Sequence, residues 1–160
     1  MSTFEIRPIG DEDGPRVREL IVERWRDDIV VAHGVVFEPA TLPGFLAIDG
    51  EEAVGLLTYT VEGDSCEIVT IDALVEGRGI GKALMAAVED EARRAGCRRL
   101  ELVSTNDNER ALGFYARMGF VVLEIREGVL EGSRRLKPTI PLVNEAGVPI
   151  RDEISLARDL

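Results

Sequence analysis

The sequence predicts an α+β fold in which a mostly antiparallel central sheet is flanked by helices. Between residues 45 and 74, three β-rich runs follow one another with only short turns between them, as antiparallel strands do. Further along, amphipathic stretches with apolar residues at helical spacing alternate with other β-rich runs. The 160 residues have the length of one domain, and no linker or repeat divides them. We therefore treat residues 1–160 as a single domain.

The predicted elements follow from local signals along the chain. Pro15 suits the first turn of a helix, and Gly96 suits the position just after a helix end. Asn106 and Glu109 have the spacing of a capping box, which predicts that Asn106 begins a helix. Strands are predicted at residues 6–9, 45–48, 53–61, 66–74, 100–104, 121–125 and 149–156, and helices at residues 15–25, 80–95 and 109–118.

Two segments are predicted less specifically. Residues 27–43 are compatible with a helix end, a strand or an ordered loop. Residues 127–147 are rich in glycine and proline, so we expect them to run over the surface.

The formal charge of −11 and the 5% aromatic content argue against a nucleic acid or an anionic membrane as partner. The excess negative charge lies entirely in residues 1–75, which hold five arginines, no lysine and 16 acidic residues, whereas residues 76–160 are neutral overall. The acidic half would favour a cationic small molecule, although an acidic surface also simply aids solubility.

The chain carries no pattern of a secretory signal and no apolar run near the ~20 residues that span a bilayer. Its two cysteines, Cys66 and Cys97, are too few for a disulfide framework, so we expect small buried side chains and a cytoplasmic protein. With His33 as the single histidine, we expect no metal site.

The most informative segment is the glycine-rich turn at residues 75–83, which joins a predicted strand to a helix. Amides at such a helix start can bind phosphate groups, and glycines at 77, 79 and 81 let a ligand approach the backbone. A tight turn without a ligand is the alternative. A Walker P-loop is excluded because Ala83 follows Lys82 in place of Ser or Thr, and the Gly-x-Gly-x-Gly spacing differs from that of a dinucleotide fold.

Two motifs give the chain a resemblance to the GNAT superfamily of N-acetyltransferases. The segment Glu76-Gly77-Arg78-Gly79-Ile80-Gly81 resembles the cofactor motif (Gln/Arg)-x-x-Gly-x-(Gly/Ala). About 25 residues later, Asn108, Ala111, Tyr115, Gly119 and Phe120 fit the motif Asn-x-x-Ala-x-x-x-Tyr-x-x-x-Gly-Phe. Glu76 stands where the family has Gln or Arg, and we expect Arg78 or Lys82 to supply the compensating positive charge.

The resemblance implies that acetyl-CoA lies in a V-shaped split between two parallel strands, residues 68–74 and 100–104. The amide of Leu74 or Val75 would polarise the thioester carbonyl, and Asn108 would bond the pantetheine arm while also beginning its helix. The pyrophosphate is expected on the amides of Gly77, Arg78, Gly79, Ile80, Gly81, Lys82 and Ala83.

The resemblance also implies direct attack of an amine on the thioester in a ternary complex. Tyr115 is the candidate general acid for the leaving thiolate, because a phenol stays protonated at neutral pH; a packed aromatic beside Phe114 and Phe120 is the alternative. Asp72 and Glu67 are candidate bases on the strand next to the thioester. Three residues are expected at the acceptor site: Trp25, His33 and Glu38.

The acceptor is expected to be a small cationic amine. A protein N-terminus or lysine side chain remains open as acceptor, as does a non-catalytic acyl-CoA-binding module. The resemblance further suggests a homodimer formed through late strands such as residues 149–156.

Overall fold

The computed structural model describes residues 3–160, and nine strands and four helices make up its framework. The strands are β1 (Glu5–Pro8), β2 (Val30–Ala32), β3 (Val35–Phe37), β4 (Gly44–Asp49), β5 (Glu52–Glu62), β6 (Ser65–Ala73), β7 (Arg99–Thr105), β8 (Val121–Arg126) and β9 (Glu153–Asp159). The helices are α1 (Gly14–Trp25), α2 (Ile80–Arg94), α3 (Glu109–Arg117) and α4 (Leu130–Leu136).

Seven strands form one sheet in the order β1-β4-β5-β6-β7-β9-β8, and β2 and β3 form a separate hairpin. All neighbours in the large sheet are antiparallel except β6 and β7, which are parallel and are joined through α2. The predicted α+β class, with a mostly antiparallel sheet and one parallel pair, is confirmed.

The parallel pair separates part of the way along its length. Pairing between β6 and β7 ends at Ile68 and Leu102, although β6 continues to Ala73 and β7 to Thr105. At the same place the register between β5 and β6 shifts, so that Val69 has no partner on β5. Such a bulge bends a strand away from its neighbour. The bulge therefore opens a gap between β6 and β7, as the resemblance implies.

The sheet is covered on both faces. Alternate residues of β4 and β5 point to opposite sides, so that Ala47 and Leu57 belong to the core beneath α2, whereas Leu46 and Leu56 belong to the core beneath α1. Helix α2 lies so close to the sheet that a Cβ at Gly55 would stand 2.4 Å from Cγ2 of Ile80. This close contact fixes the start of α2, and hence the glycine-rich turn, against the sheet.

Two local predictions are wrong. Asn106 does not begin α3: its side-chain oxygen accepts hydrogen bonds from the amides of Arg151 and Asp152. Asn108 begins the helix instead, and its Oδ1 accepts from the amide of Ala111 at 3.3 Å. The last strand starts at Glu153 rather than at residue 149, because the preceding residues are held by Asn106.

The two weakly predicted segments have defined structures. Residues 27–43 contain the β2–β3 hairpin and a short 3-10 turn. Residues 127–147 contain α4, which packs against β2 and buries Leu130 and Ser133. Most of these residues are exposed, as expected of a segment at the surface, but the helix and its buried side chains were not predicted.

Cys66 and Cys97 are free and buried, as predicted. Burial raises the pKa of the Cys66 thiol to about 12, so it remains protonated at neutral pH. Among residues 3–160, no helix is long and apolar enough to cross a membrane.

Candidate active site

A cleft of about 410 Å³ opens at the gap between β6 and β7. One side is formed by α3, through Ala111 and Tyr115, and another by the end of α1 at Trp25. Residues 137–141, which follow α4, cover part of it. The cleft thus brings together parts of the chain that are more than 100 residues apart.

The glycine-rich turn presents free amides beside this gap. Gly77 and Gly79 both have a φ of 75°, a left-handed conformation in which glycine avoids the strain of a side chain. The first bond of α2 runs from the amide of Ala83 to the carbonyl of Gly79 at 3.0 Å. In the described part of the chain, the amides of residues 77–82 donate to no protein acceptor, as expected at a helix start. The expected role of Ala83 is corrected, because its amide is already bonded.

Gly81 is required for a different reason. A Cβ at this position would stand 3.3 Å from Cζ of Phe114, so the glycine lets α3 approach α2. Two glycines of the turn are thus favoured by their positive φ, and the third is favoured because it lets two helices pack closely.

The positive side chains of the turn point in different directions. The guanidinium of Arg78 lies 3.0 Å from Asp49, donates to the carbonyl of Thr3 and stacks over Phe4. This corrects the expectation that Arg78 compensates for Glu76, because its charge is already paired elsewhere. Lys82 is exposed.

Arg110 neutralises Glu76 instead. It forms an ion pair and a hydrogen bond with Glu76, and both keep the pKa of this carboxyl below its usual value. Sequence reasoning missed Arg110, because its contact with Glu76 joins residues 34 positions apart.

The amides of β6 that are free to bond a thioester carbonyl differ from those predicted. The amide of Leu74 donates to the carbonyl of Val54 at 2.9 Å, so it is not free to polarise a carbonyl. Because hydrogen-bonding direction alternates along a strand, the amides of Ile71 and Ala73 face the opposite side, where the gap lies. Val75 lies beyond the end of β6 and is exposed.

Tyr115 is buried and lines the cleft. Its ring meets those of Phe114 and Phe120 edge to face, at centroid distances of 5.7 and 6.0 Å. Burial, together with the charge of Asp72, raises the pKa of its hydroxyl, so that it remains a proton donor at neutral pH. Asn108 lines the cleft as well as beginning α3.

Asp72 is held beneath the end of α1. Its Oδ2 accepts a hydrogen bond from Nε1 of Trp25 at 2.9 Å, and Nε of Arg24 lies 3.8 Å from Oδ1. Burial raises the pKa of this carboxyl despite both contacts. Trp25, predicted at the acceptor site, both lines the cleft and orients the acid.

Glu67 is bonded to His33, whose Nε2 lies 2.8 and 3.0 Å from the two carboxylate oxygens. Burial raises the pKa of Glu67, and the contact with His33 opposes that rise. The β2–β3 turn that carries His33 is tied down by Glu153, which accepts a hydrogen bond from the His33 amide at 3.0 Å. Glu67 and His33 thus form a connected pair that runs from the cleft to an exposed ring.

Glu38 is exposed and does not line the cleft, so its expected role at the acceptor site is corrected. Its carbonyl begins a 3-10 turn and accepts hydrogen bonds from the amide and the hydroxyl of Thr41.

Sequence reasoning missed two buried charged residues. Lys137 lines the cleft, and its Nζ donates to the carbonyl of Trp25 at 3.0 Å. Glu153 is fully buried and forms an ion pair with Arg126. Neither belongs to a local pattern that marks it.

Within residues 3–160, no group of three His, Cys, Asp or Glu side chains is placed to hold a metal ion.

Comparison with known proteins identifies the family of this chain. The sequence profile of the acetyltransferase (GNAT) family matches residues 11–120. The chain is 38% identical over 141 residues to the uncharacterized protein YdhI of Bacillus subtilis, covering 88% of each chain.

Two solved structures share the fold. An IAA acetyltransferase from Bacillus cereus has a TM-score of 0.76 at 23% identity, covering 99% of this chain and all of that one. A GNAT family acetyltransferase from Elizabethkingia anophelis with acetyl-CoA bound has a TM-score of 0.70 at 18% identity, with both chains fully covered. This chain belongs to the GNAT family and is an acetyl-CoA-dependent acyltransferase.

Proposed function

We propose that this acyltransferase acetylates the primary amine of a small molecule, with Tyr115 as general acid and Glu67 as general base. The observation that carries the proposal is the convergence of Tyr115, Glu67 and Asp72 on one cleft at the gap between β6 and β7. A module that only bound acyl-CoA would have no use for a buried hydroxyl and two carboxyls with raised pKa values in one place.

The cofactor would lie along the gap. Its pyrophosphate would bind the free amides of residues 77–82 at the positive end of the α2 dipole. The pantetheine arm would run between β6 and β7, past Asn108. The amide of Ile71 faces this gap and would donate to the thioester carbonyl, where negative charge develops.

Asp72, held by Trp25, would attract the ammonium form of the acceptor into the cleft. The ammonium releases one proton to solvent and becomes the neutral amine, whose nitrogen attacks the thioester carbon. A C–N bond forms and the C–S bond breaks, Glu67 accepts the second proton lost from nitrogen, and Tyr115 donates a proton to the departing thiolate. His33 joins Glu67 to the solvent and offers a route by which that proton leaves.

The cover over the cleft favours a small acceptor over a protein N-terminus or lysine. Thr139 bonds to Asp27 at 3.3 Å, and Asn144 bonds to Asp107 at 3.3 Å, so the segment after α4 is attached on both sides of the cleft. A segment that is attached on both sides of the cleft leaves less room for a polypeptide acceptor than for a small molecule.

Replacing Tyr115 with Phe tests the assignment. We expect kcat to fall about 100-fold because the general acid is lost, while the Kd for acetyl-CoA changes less than twofold. Tyr59→Phe is the matched control, since this hydroxyl lies on β5 and does not line the cleft. A thiol-release assay with small amines and with peptides measures turnover, and calorimetry measures the Kd for acetyl-CoA. Unchanged turnover in Tyr115→Phe, or faster acetylation of peptides than of any small amine, would contradict the proposal.

We also propose that a second copy pairs along β8. This strand is at the edge of the sheet and leaves four apolar side chains 51–61% exposed, those of Val121, Val122, Leu123 and Ile125. An edge strand with free backbone groups and apolar side chains is a pairing surface. Light scattering should give the mass of a dimer for the wild type and that of a monomer for Val122→Lys; a wild-type monomer at micromolar concentration would exclude the pairing.

A further inference from the structure

Lys137 is a buried cation that faces the cleft. It is 5% exposed, and its Nζ lies 3.0 Å from the carbonyl oxygen of Trp25 and 5.8 Å from the centroid of the Trp25 ring. Among residues 3–160, no carboxylate lies within ion-pair distance of this ammonium group. A buried charge with only a carbonyl and a ring as partners is unusual, because burial removes its hydration.

The ammonium group can still bind an anion. A lysine has three N–H donors, and Lys137 uses one of them on the Trp25 carbonyl. Burial lowers the pKa of Lys137, and the charge of Asp27 opposes this effect from a distance. An anionic ligand in the cleft would balance the positive charge of Lys137. Its hydrogen bond to Nζ would be strong, because charge-assisted hydrogen bonds are strong where water is excluded.

Trp25 separates this cation from the acids of the cleft. Lys137 lies over the face of the indole ring, and Asp72 accepts a bond from its N–H edge. A molecule bound against Trp25 would therefore meet negative charge at one end and positive charge at the other. Arg24, which also lines the cleft, already lies 3.8 Å from Asp72, so Lys137 is the buried cation left for an anionic ligand.

We propose that the acceptor is an amine that also carries a carboxylate, as an amino acid does, and that Lys137 binds this carboxylate. The inference rests on the proposed function, because it assumes that the amine enters the same cleft. It refines the expectation of a cationic acceptor: the amine end meets Glu67 and Asp72, while the acid end meets Lys137. Lys137 is then a specificity residue that touches the substrate.

Matched substrates test this assignment. Amino acids and their C-terminal amides have almost the same size and differ in the carboxylate charge. Because amidation also lowers the pKa of the α-amine, rates are compared per fraction of neutral amine. For the wild type we expect kcat/KM to be at least tenfold higher for an amino acid than for its amide. Lys137→Met keeps the length of the side chain and should abolish this preference through KM, whereas Lys137→Arg should retain part of it. Arg135→Met, an exposed position in α4, is the control that should keep the preference.

Three outcomes would overturn the proposal. One is that Lys137→Met lowers kcat/KM equally for amino acids and for their amides, which a purely structural role of Lys137 would cause. Another is a wild-type preference for amides or polyamines. The third is a preference for O-phosphorylated amino alcohols over amino acids, which would identify a phosphate as the anion.

A binding measurement separates this inference from the proposed function. Calorimetry with CoA-bound protein and amino acids requires no turnover. Carboxylate-dependent binding that is lost in Lys137→Met would support the anion site even if no amine is acetylated. Turnover of amines without any carboxylate dependence would support the proposed function and overturn the role of Lys137.

Discussion

The cleft has two halves that are built in different ways. The proposed cofactor half consists of the gap-facing edge of β6 and the start of α3, and the glycine-rich turn and the start of α2 continue it outside the lining of the cleft. These elements lie close together in the sequence. The acceptor half consists of the end of α1, the β2–β3 hairpin and residues 130–150, where contacts join residues more than 100 positions apart. Backbone amides dominate the first half, and single side chains dominate the second. Function in the acceptor half therefore depends on long-range contacts that a local motif does not encode.

The largest effect is expected from Glu153→Ala, which removes a buried contact of the acceptor half. Glu153 binds Arg126 and the His33 amide, so its loss leaves this amide without its partner and leaves Arg126 with only Glu124 and Ser155. We expect the free energy of unfolding to fall by about 3 kcal/mol in urea titrations. Acetyl-CoA affinity of the folded protein should change less than twofold, because the glycine-rich turn is not touched.

Glu124→Ala provides the control for this prediction. Glu124 also pairs with Arg126, at 2.9 Å, but it is 61% exposed. We expect the free energy of unfolding to change by at most about 0.5 kcal/mol, as for other surface ion pairs. Equal effects of the two substitutions would show that burial of Glu153 does not stabilise the acceptor half.

The next largest effect is expected at Glu67, the proposed general base. Glu67→Gln should lower kcat about 100-fold by removing the general base. In the wild type, activity should rise with pH as Glu67 loses its proton, and the raised pKa places this rise above the range of an ordinary glutamate. The rise should be absent from the pH profile of the variant.

Glu101→Gln tests whether the pKa of Glu67 sets the pH at which activity rises. Glu101 is the register partner of Glu67 on β7, and its charge contributes to the raised pKa of Glu67. This variant should remain active, with the rise displaced to lower pH. A full rise that persists in Glu67→Gln would assign the base to another group, with Asp72 the first to examine.

The two halves also differ in how much of them the sequence predicted. The turn and the first residues of α2 and α3 lie where they were predicted, although Asn108 rather than Asn106 begins α3. Tyr115 lines the cleft, and its role as general acid, which came from the family resemblance, stays a proposal. The role of Leu74 was misassigned because its amide bonds to Val54 across the sheet, which the local sequence does not show. The role of Ala83 was misassigned because its amide makes the first bond of α2, to Gly79. Lys137 could not be predicted: its contact with Trp25 spans 112 residues and follows from packing alone.

A smaller effect is expected from Gly79→Ala in the cofactor half. At a φ of 75° an added Cβ meets no neighbour, so the cost is backbone strain of about 1 kcal/mol. Because the amides of the turn must keep this conformation to bind phosphate, we expect the Kd for acetyl-CoA to rise about tenfold in calorimetry. Gly50→Ala is the matched control, with a φ of 65° and equally open space but a place in the β4–β5 turn. It should lower stability and leave the Kd unchanged; an equal Kd change in both would mean that strain acts through global stability.

The smallest effect is expected at the ion pair between Glu76 and Arg110, where this chain departs from the family motif. Both side chains are largely exposed, so the pair is screened by salt. Arg110→Ala should raise the Kd for acetyl-CoA about two- to threefold at low salt, because it leaves the charge of Glu76 unopposed near the pyrophosphate. Glu76→Gln should lower the Kd by a similar factor, and Arg110→Ala should then have little further effect in that background. If Arg110→Ala weakens binding equally with and without Glu76, the arginine contacts the cofactor itself, and the carboxylate at position 76 is tolerated for a reason other than this pair.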